Sequence, residues 1–216
     1  MMISQKIKAV IFDLDGVITD TAEYHFYSWK KLSEEEGIEF TRKDNEQFRG
    51  VSRRKCLDIL LKGRDVSEEE KKEMAARKNV YYREYLKDLD KEDLLPGVEE
   101  MLNFLQSNGY KIAVASSSKN TDTVLENLGI KDIFDTVSDG YSVKKSKPAP
   151  DIFLHTAKNL KVSPEVCLVI EDAESGIKGA QRAGMKTVGV GPEERVGEAD
   201  YHYEKVGDID LKKILA

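Results

Sequence analysis

Short apolar runs that recur between amphipathic stretches set the strongest limit on what this chain can fold into. They lie at residues 9–12, 111–115, 166–170 and 187–190. Runs so short and so uniformly apolar suit strands buried on both faces, as in a parallel sheet covered by helices. Weaker strand candidates lie at 136–138 and 201–203. Between the runs, apolar residues return at helical spacing. Val98, Met101, Leu102 and Leu105 form one stripe, opened by Pro96 and closed by Gly109. Val124, Leu125 and Leu128 form a second, closed by Gly129. Ile152, Phe153, Ala157 and Leu160 form a third, and Ile177, Ala180 and Ala183 a fourth that ends at Gly184. Strands alternating with helices predict an α/β fold with an open, mostly parallel sheet.

The alternation breaks between residues 21 and 93, where no convincing strand occurs. Helical stripes run there instead: Ala22, Phe26 and Trp29; Cys56, Ile59 and Leu60; Met74, Tyr81, Tyr82 and Tyr85. This predicts a small helical cap domain over residues 21–93, inserted after the first strand, with residues 1–20 and 94–216 forming the α/β core. A chain of 216 residues, 40% of them hydrophobic, can bury such a core without disulfides or a structural metal.

No apolar run approaches the ~18 residues that a membrane helix needs, and residues 1–6 lack the features of a signal peptide. The two cysteines, Cys56 and Cys167, fit small packed side chains in a reducing compartment. The expectation is a cytoplasmic monomer with no membrane partner. A formal net charge of −6 argues against nucleic acid. It also means that an anionic ligand must be drawn by local groups.

In open α/β sheets, ligands bind where the carboxyl ends of the strands meet the loops. Three of the expected strands end there in polar residues: Asp13-Leu14-Asp15-Gly16, then Ser116-Ser117-Ser118, then Glu171-Asp172. Lys147-Pro148 sits on a loop between the last two. Four carboxylates in one pocket would repel, each like-charged pair costing ~4 kcal/mol at about 4 Å and an effective dielectric of about 20. Such a cluster calls for a cation, and an all-oxygen site suits magnesium, Mg2+. Lys147 adds a second positive charge and Ser116 a hydroxyl donor, a set suited to a transferring phosphoryl group. Asp13 can then act as nucleophile, forming an aspartyl-phosphate. Asp15, two residues on, can serve as general acid and base, with Gly16 allowing the tight turn.

These segments, in this order and spacing, resemble the haloacid dehalogenase superfamily of phosphohydrolases and mutases, and the likeness covers nearly the whole chain. Within it, residues 13–25, 49–53, 115–120, 147–151 and 170–173 resemble the β-phosphoglucomutase family. The resemblance implies a Rossmann-like core with a helical cap. It implies conversion of β-D-glucose 1-phosphate to D-glucose 6-phosphate through β-glucose 1,6-bisphosphate, so the partners would be small-molecule sugar phosphates. Magnesium would be held by Asp13, by the backbone carbonyl of Asp15 and by Asp172, with Glu171 close by. Ser116 and Lys147 would hold the transferring phosphoryl group. Arg53, with Ser118, Lys119 and Asn120, would bind the far phosphate, and Gly50 and Val51 would line the sugar. His25 would help to position Asp15. Trp29 suits either cap packing or the sugar pocket. Lys78 suits either the helix surface or the cleft. Arg49 stands where the family is expected to carry lysine, a larger and planar cation replacing a compact one.

Two alternatives remain at this point. A sugar-phosphate phosphatase would share the core and use water as acceptor. A phospho-accepting signalling module also uses an aspartate, magnesium and a lysine on a parallel sheet, but it needs neither a helical insertion nor the second carboxylate of Asp15.

Overall fold

The computed structural model describes residues 6–48 and 51–215. Arg49 and Gly50 lie outside the described residues. Six parallel strands form one sheet in the order β3-β2-β1-β4-β5-β6: β1 (Ala9–Phe12), β2 (Lys111–Ala115), β3 (Thr136–Ser138), β4 (Cys167–Glu171), β5 (Lys186–Val190) and β6 (Tyr201–Tyr203). The expected mostly parallel sheet is present, the weaker candidates forming its two edges. Val166, the first residue of the expected strand 166–170, falls instead in a 3-10 turn before β4, which runs one residue later.

Side chains of a strand alternate between faces, and the core divides accordingly. Val10, Phe12, Ile112, Val114, Leu168 and Ile170 point to one face. They meet α5 (Val98–Ser107) and α6 (Thr121–Asn127) through Met101, Leu102, Leu105, Val124 and Leu125. Ala9, Ile11, Ala113, Ala115, Cys167 and Val169 point to the other. They meet α7 (Asp151–Leu160) and α8 (Glu174–Arg182) through Ile152, Phe153, Ala157, Leu160 and Ala180. Both faces are covered, which is why the strands read as unbroken apolar runs. Helix α5 begins at Val98, after Gly97, two residues later than Pro96 suggests. Two short helices, α9 (Glu193–Val196) and α10 (Leu211–Ile214), complete the order.

The described residues between 21 and 93 carry four helices, α1 (Ala22–Glu35), α2 (Arg42–Glu46), α3 (Arg53–Leu61) and α4 (Glu68–Tyr85). They share a cluster of their own that includes Phe26, Trp29, Leu32, Phe40, Phe48, Cys56, Leu57, Leu60 and Met74. The segment leaves and rejoins the rest of the chain side by side. Leu95 N–H donates to the Ile18 carbonyl at 2.9 Å, and the Thr19 hydroxyl to the Asp93 carbonyl at 2.8 Å. One expected stripe is corrected: α4 buries Met74, Lys78 and Tyr82, four residues apart, while Tyr81 and Tyr85 sit at its rim. The Tyr81 hydroxyl instead donates outward to Glu35 at 2.7 Å. Both cysteines are buried and free, and burial pushes each thiol up to about 12.

Leu105 is fully buried where α5 meets the sheet. Leu105→Ala should cost ~2–5 kcal/mol of folding stability through lost contact and an unfilled void, read by urea denaturation.

Candidate active site

Strand register brings the polar residues together. Phe12 pairs with Val114 on one side and Ile170 on the other. The residue after β1, Asp13, is therefore level with Ala115 and Glu171, and Asp13 N–H donates to the Ile170 carbonyl at 2.9 Å. Because the chain reverses its winding between β1 and β4, this point is also where a cleft opens at the strand ends.

Lys147 stands at the centre, its side chain fully buried. Its ammonium donates to Asp13 Oδ1 at 2.6 Å and to Glu171 Oε2 at 2.7 Å. Carboxylate oxygens of Asp13, Glu171 and Asp172 all lie within 4.8 Å of one another, and all three residues are buried. Burial, with Asp15 adding like charge, raises the Asp13 carboxyl above its usual range in spite of Lys147. Burial and the charge on Asp13 push Glu171 up to about 8. Burial opposes the charge on Lys147, yet Asp13 and Glu171 together hold it above the usual lysine range. Three acidic side chains thus crowd one place, where a single ammonium bonds only two of them. A hard divalent cation fits this all-oxygen donor set, because it would supply the missing positive charge without needing nitrogen or sulfur ligands. Asp13, Glu171 and Asp172 are the side chains that could hold it.

The carboxylate of Asp15 is not part of that cluster. The turn after β1 closes through Gly16 N–H to the Thr19 carbonyl at 2.8 Å, with Gly16 at φ +79°. A Cβ at Gly16 would come within 2.5 Å of Asp172 Oδ2, so only glycine lets this loop lie against the cluster. Asp15 is turned toward α1, where Oδ1 accepts from the Thr21 hydroxyl and Oδ2 lies 3.8 Å from His25 Nε2. Burial raises the Asp15 carboxyl, but the contacts to His25 and Thr21 outweigh this and hold it below its usual value.

His25 Nδ1 lies 2.7 Å from Lys78 Nζ, and its ring stacks on Tyr82 at 4.1 Å. An ammonium has no acceptor, so charged Lys78 must donate to Nδ1 and leaves the imidazole proton on Nε2, facing Asp15. Burial and the neighbouring lysine push His25 down to about 4, so it is neutral at neutral pH. Burial, and then Arg53, push Lys78 down to about 7. Lys78 is only 1% exposed, beside the rings of Trp29 at 5.1 Å and Tyr82 at 4.6 Å. Of its two sequence readings, the cleft is therefore correct and the helix surface is not: the aromatic rings and His25 take the place of water around the ammonium. Trp29 packs edge-on against Phe48 at 5.3 Å and also lines the cleft.

Asp13, Asp15, His25, Trp29, Val51, Arg53, Lys78, Ser116, Ser118, Lys119, Lys147 and Asp172 all line one cleft of about 410 Å³. Ser116 Oγ accepts from Ser118 N–H at 3.1 Å, which leaves its own hydroxyl proton to donate. Arg53 opens α3 and is partly buried, and burial pushes its guanidinium below the usual arginine range. Lys119 sits over the exposed ring of Tyr141 at 4.5 Å. Asn120 is set apart: it does not line the cleft, and its side-chain amide donates to Asn79 of α4 at 2.9 Å. Glu171 likewise lies behind the cleft, reaching it through Lys147. Sequence reasoning missed Thr21, Tyr82 and Lys144. The first two touch Asp15, His25 and each other, while Lys144 adds a cation to the cleft wall. The four-residue spacing from Lys78 to Tyr82 is the one sequence signal that could have found Tyr82.

Residues 7–184 match the haloacid dehalogenase-like hydrolase family. The chain is 45% identical over 210 residues to a β-phosphoglucomutase of Bacillus subtilis (strain 168), covering 95% of this chain and 93% of that protein. It is 34% identical over 187 residues to a phosphorylated carbohydrates phosphatase of Thermotoga maritima, covering 84% of each. A crystal structure of β-phosphoglucomutase from Clostridium difficile superposes with a TM-score of 0.93 at 43% identity, covering 96% of this chain and 95% of that one.

Two outcomes follow from the charge balance. Glu171 has a folded value near 8 against an ordinary value of 4.5, so the folded state binds the extra proton. That stabilisation is complete below 4.5 and fades as pH rises toward about 8. Protein stripped of divalent cations should therefore melt lower as pH rises across this window, and magnesium should restore the most stability at its upper end. Thermal melts in chelator and in magnesium across the window check both signs. Lys147→Met removes the partner of two buried carboxylates and should cost ~3–5 kcal/mol without metal, read by urea denaturation.

Proposed function

Because the chain belongs to the haloacid dehalogenase-like hydrolases, we propose that it converts β-D-glucose 1-phosphate to D-glucose 6-phosphate through an aspartyl-phosphate on Asp13 and a β-glucose 1,6-bisphosphate intermediate. The observation that carries this reading is the separation of two carboxylates on one turn. Asp13 lies among Lys147, Glu171 and Asp172, while Asp15 is held as an ionised base by Thr21 and His25.

In the first half of the cycle, Asp15 takes the proton from the sugar O6 hydroxyl. O6 attacks the phosphorus of phospho-Asp13, and the bond from Asp13 to phosphorus breaks. The bisphosphate then turns over. Asp13 attacks its C1 phosphate, the bond from phosphorus to O1 breaks, and Asp15 returns its proton to O1. The proton that Asp15 gains in one half is spent in the other, so its resting state can be the carboxylate. Ser116 and Lys147 hold the transferring group, and Arg53, Ser118 and Lys119 take the far phosphate, where an Arg fork suits two oxygens. Arg49 and Gly50 complete the substrate-binding set carried by the resemblance, without Asn120, whose amide is held by Asn79. Magnesium on Asp13, Asp172, Glu171 and the Asp15 carbonyl supplies charge neutralisation at the phosphoryl oxygens when bound.

In this reading, residues 21–93 are a cap domain that closes over a core of residues 1–20 and 94–216, excluding water so that phospho-Asp13 waits for a sugar. His25 comes from that segment and faces Asp15, with Lys78 behind it, so proton transfer is completed only when the cap is seated. The reading takes the protein to be a cytoplasmic monomer acting on sugar phosphates, with no nucleic-acid or membrane partner.

Catalytic amounts of glucose 1,6-bisphosphate should prime glucose 6-phosphate formation from the β-anomer and not the α-anomer in a coupled assay. Steady release of inorganic phosphate instead would favour the phosphatase. Asp13→Asn should abolish turnover, and Asp15→Asn should lower kcat by ~10²–10⁴-fold, both measured in that assay.

A further inference from the structure

The side chain of Arg195 joins the backbone of the acidic cluster to α2 of the helical segment. It lies on α9, just after β5, in the wall of a cavity of about 950 Å³ that also reaches Gly16 and Asp172. Its Nε donates to the backbone carbonyl of Asp172 at 2.8 Å. Its Nη1 lies 3.5 Å from Glu46 Oε2, on α2 of the helical segment. The path of the side chain is prepared by the backbone. Gly191 sits at φ +118°, and a Cβ there would come within 2.5 Å of Arg195 Nη2. The Gly191 peptide is itself held from β6, its N–H donating to the Tyr203 carbonyl at 2.9 Å and its carbonyl lying 2.6 Å from His202 Nε2.

We propose that Arg195 is a positioning residue that couples the cation site to the seating of the helical segment, holding the Asp172 peptide with one nitrogen and Glu46 with another. The inference rests on the reading of Asp13, Glu171 and Asp172 as cation ligands. A charged donor on the Asp172 carbonyl fixes the peptide from which that carboxylate projects. Partners of this kind, one shell out from a metal, typically change its affinity by about 10-fold or more. The ion pair to Glu46 is different in kind. The side chains are 27% and 54% exposed, and exposed pairs shift an equilibrium by only about fivefold or less. A weak link suits a segment that must release and reseat in each cycle. When Glu46 withdraws, Arg195 loses its outer anchor and its hold on Asp172 loosens.

The test is manganese(II) alone, titrated into the full chain and followed by electron paramagnetic resonance, with thermal melts as a folding check. Arg195→Ala should weaken manganese binding about 10-fold. Glu46→Gln, an exposed change that leaves the fold intact, should weaken it about two- to fivefold. The double variant should be no worse than Arg195→Ala alone, since both act through one side chain. Affinity within twofold of wild type in Arg195→Ala, or losses that simply add in the double variant, would overturn the proposal. Should Arg195→Ala not fold, an unchanged affinity in Glu46→Gln overturns it equally. Wild-type protein that binds no manganese would instead overturn the cation reading beneath it.

Discussion

One buried ammonium, wedged between two carboxylates at the end of the central strand, is the contact on which the site is organised. Lys147 reaches Asp13 across 134 residues of sequence and Glu171 across 24. It neutralises only part of the charge gathered there, because Asp172 brings a third carboxylate into the same few ångströms. The site is thus built with a deficit of positive charge. Burial keeps that deficit from being screened by water, which raises Asp13 and Glu171 together. A resident cation is the low-cost way to relieve it, and a phosphoryl group brought to Asp13 would meet both the cation and Lys147.

The second carboxylate on the same turn escapes this environment. Gly16 lets the backbone reverse against Asp172, and Asp15 comes out facing α1. There, neutral His25 offers a proton donor and Thr21 a hydroxyl. Lys78 stands behind His25 and, when charged, donates to Nδ1 and leaves the ring proton on Nε2. Two aspartates separated by one residue therefore meet opposite surroundings, one crowded by like charge and one stabilised as an anion. In the proposed cycle, that division lets one act on phosphorus and the other on a proton.

Much of this arrangement is legible in the amino-acid sequence. The apolar runs, the glycines that close helices and the polar residues at strand ends all reflect local rules of period, polarity and backbone freedom. Asp13, Ser116, Lys147 and Asp172 stand out by these rules, and they share one cleft. Lys78 is ambiguous in sequence because hydropathy places a lysine outside. Its burial depends on Trp29 and His25 arriving from α1. Asn120 reads as a phosphate ligand in sequence, yet its amide is taken by Asn79, a partner 41 residues away. Tyr81 and Tyr85 read as core and sit at the rim, because aromatic residues tolerate either place and the spacing of Met74, Lys78 and Tyr82 decides the buried face.

The sequence by itself determined the element types, the order of the chemical groups along the chain and their position at the carboxyl ends of strands, because each of these depends on neighbours within a few residues. Only the tertiary structure decided that β1 lies between β2 and β4, that Lys147 meets Asp13 and Glu171 at once, and that Asp15 turns from the cluster toward His25. Those outcomes depend on contacts between residues far apart in the chain, whose geometry is set by strand register and packing and leaves no local trace.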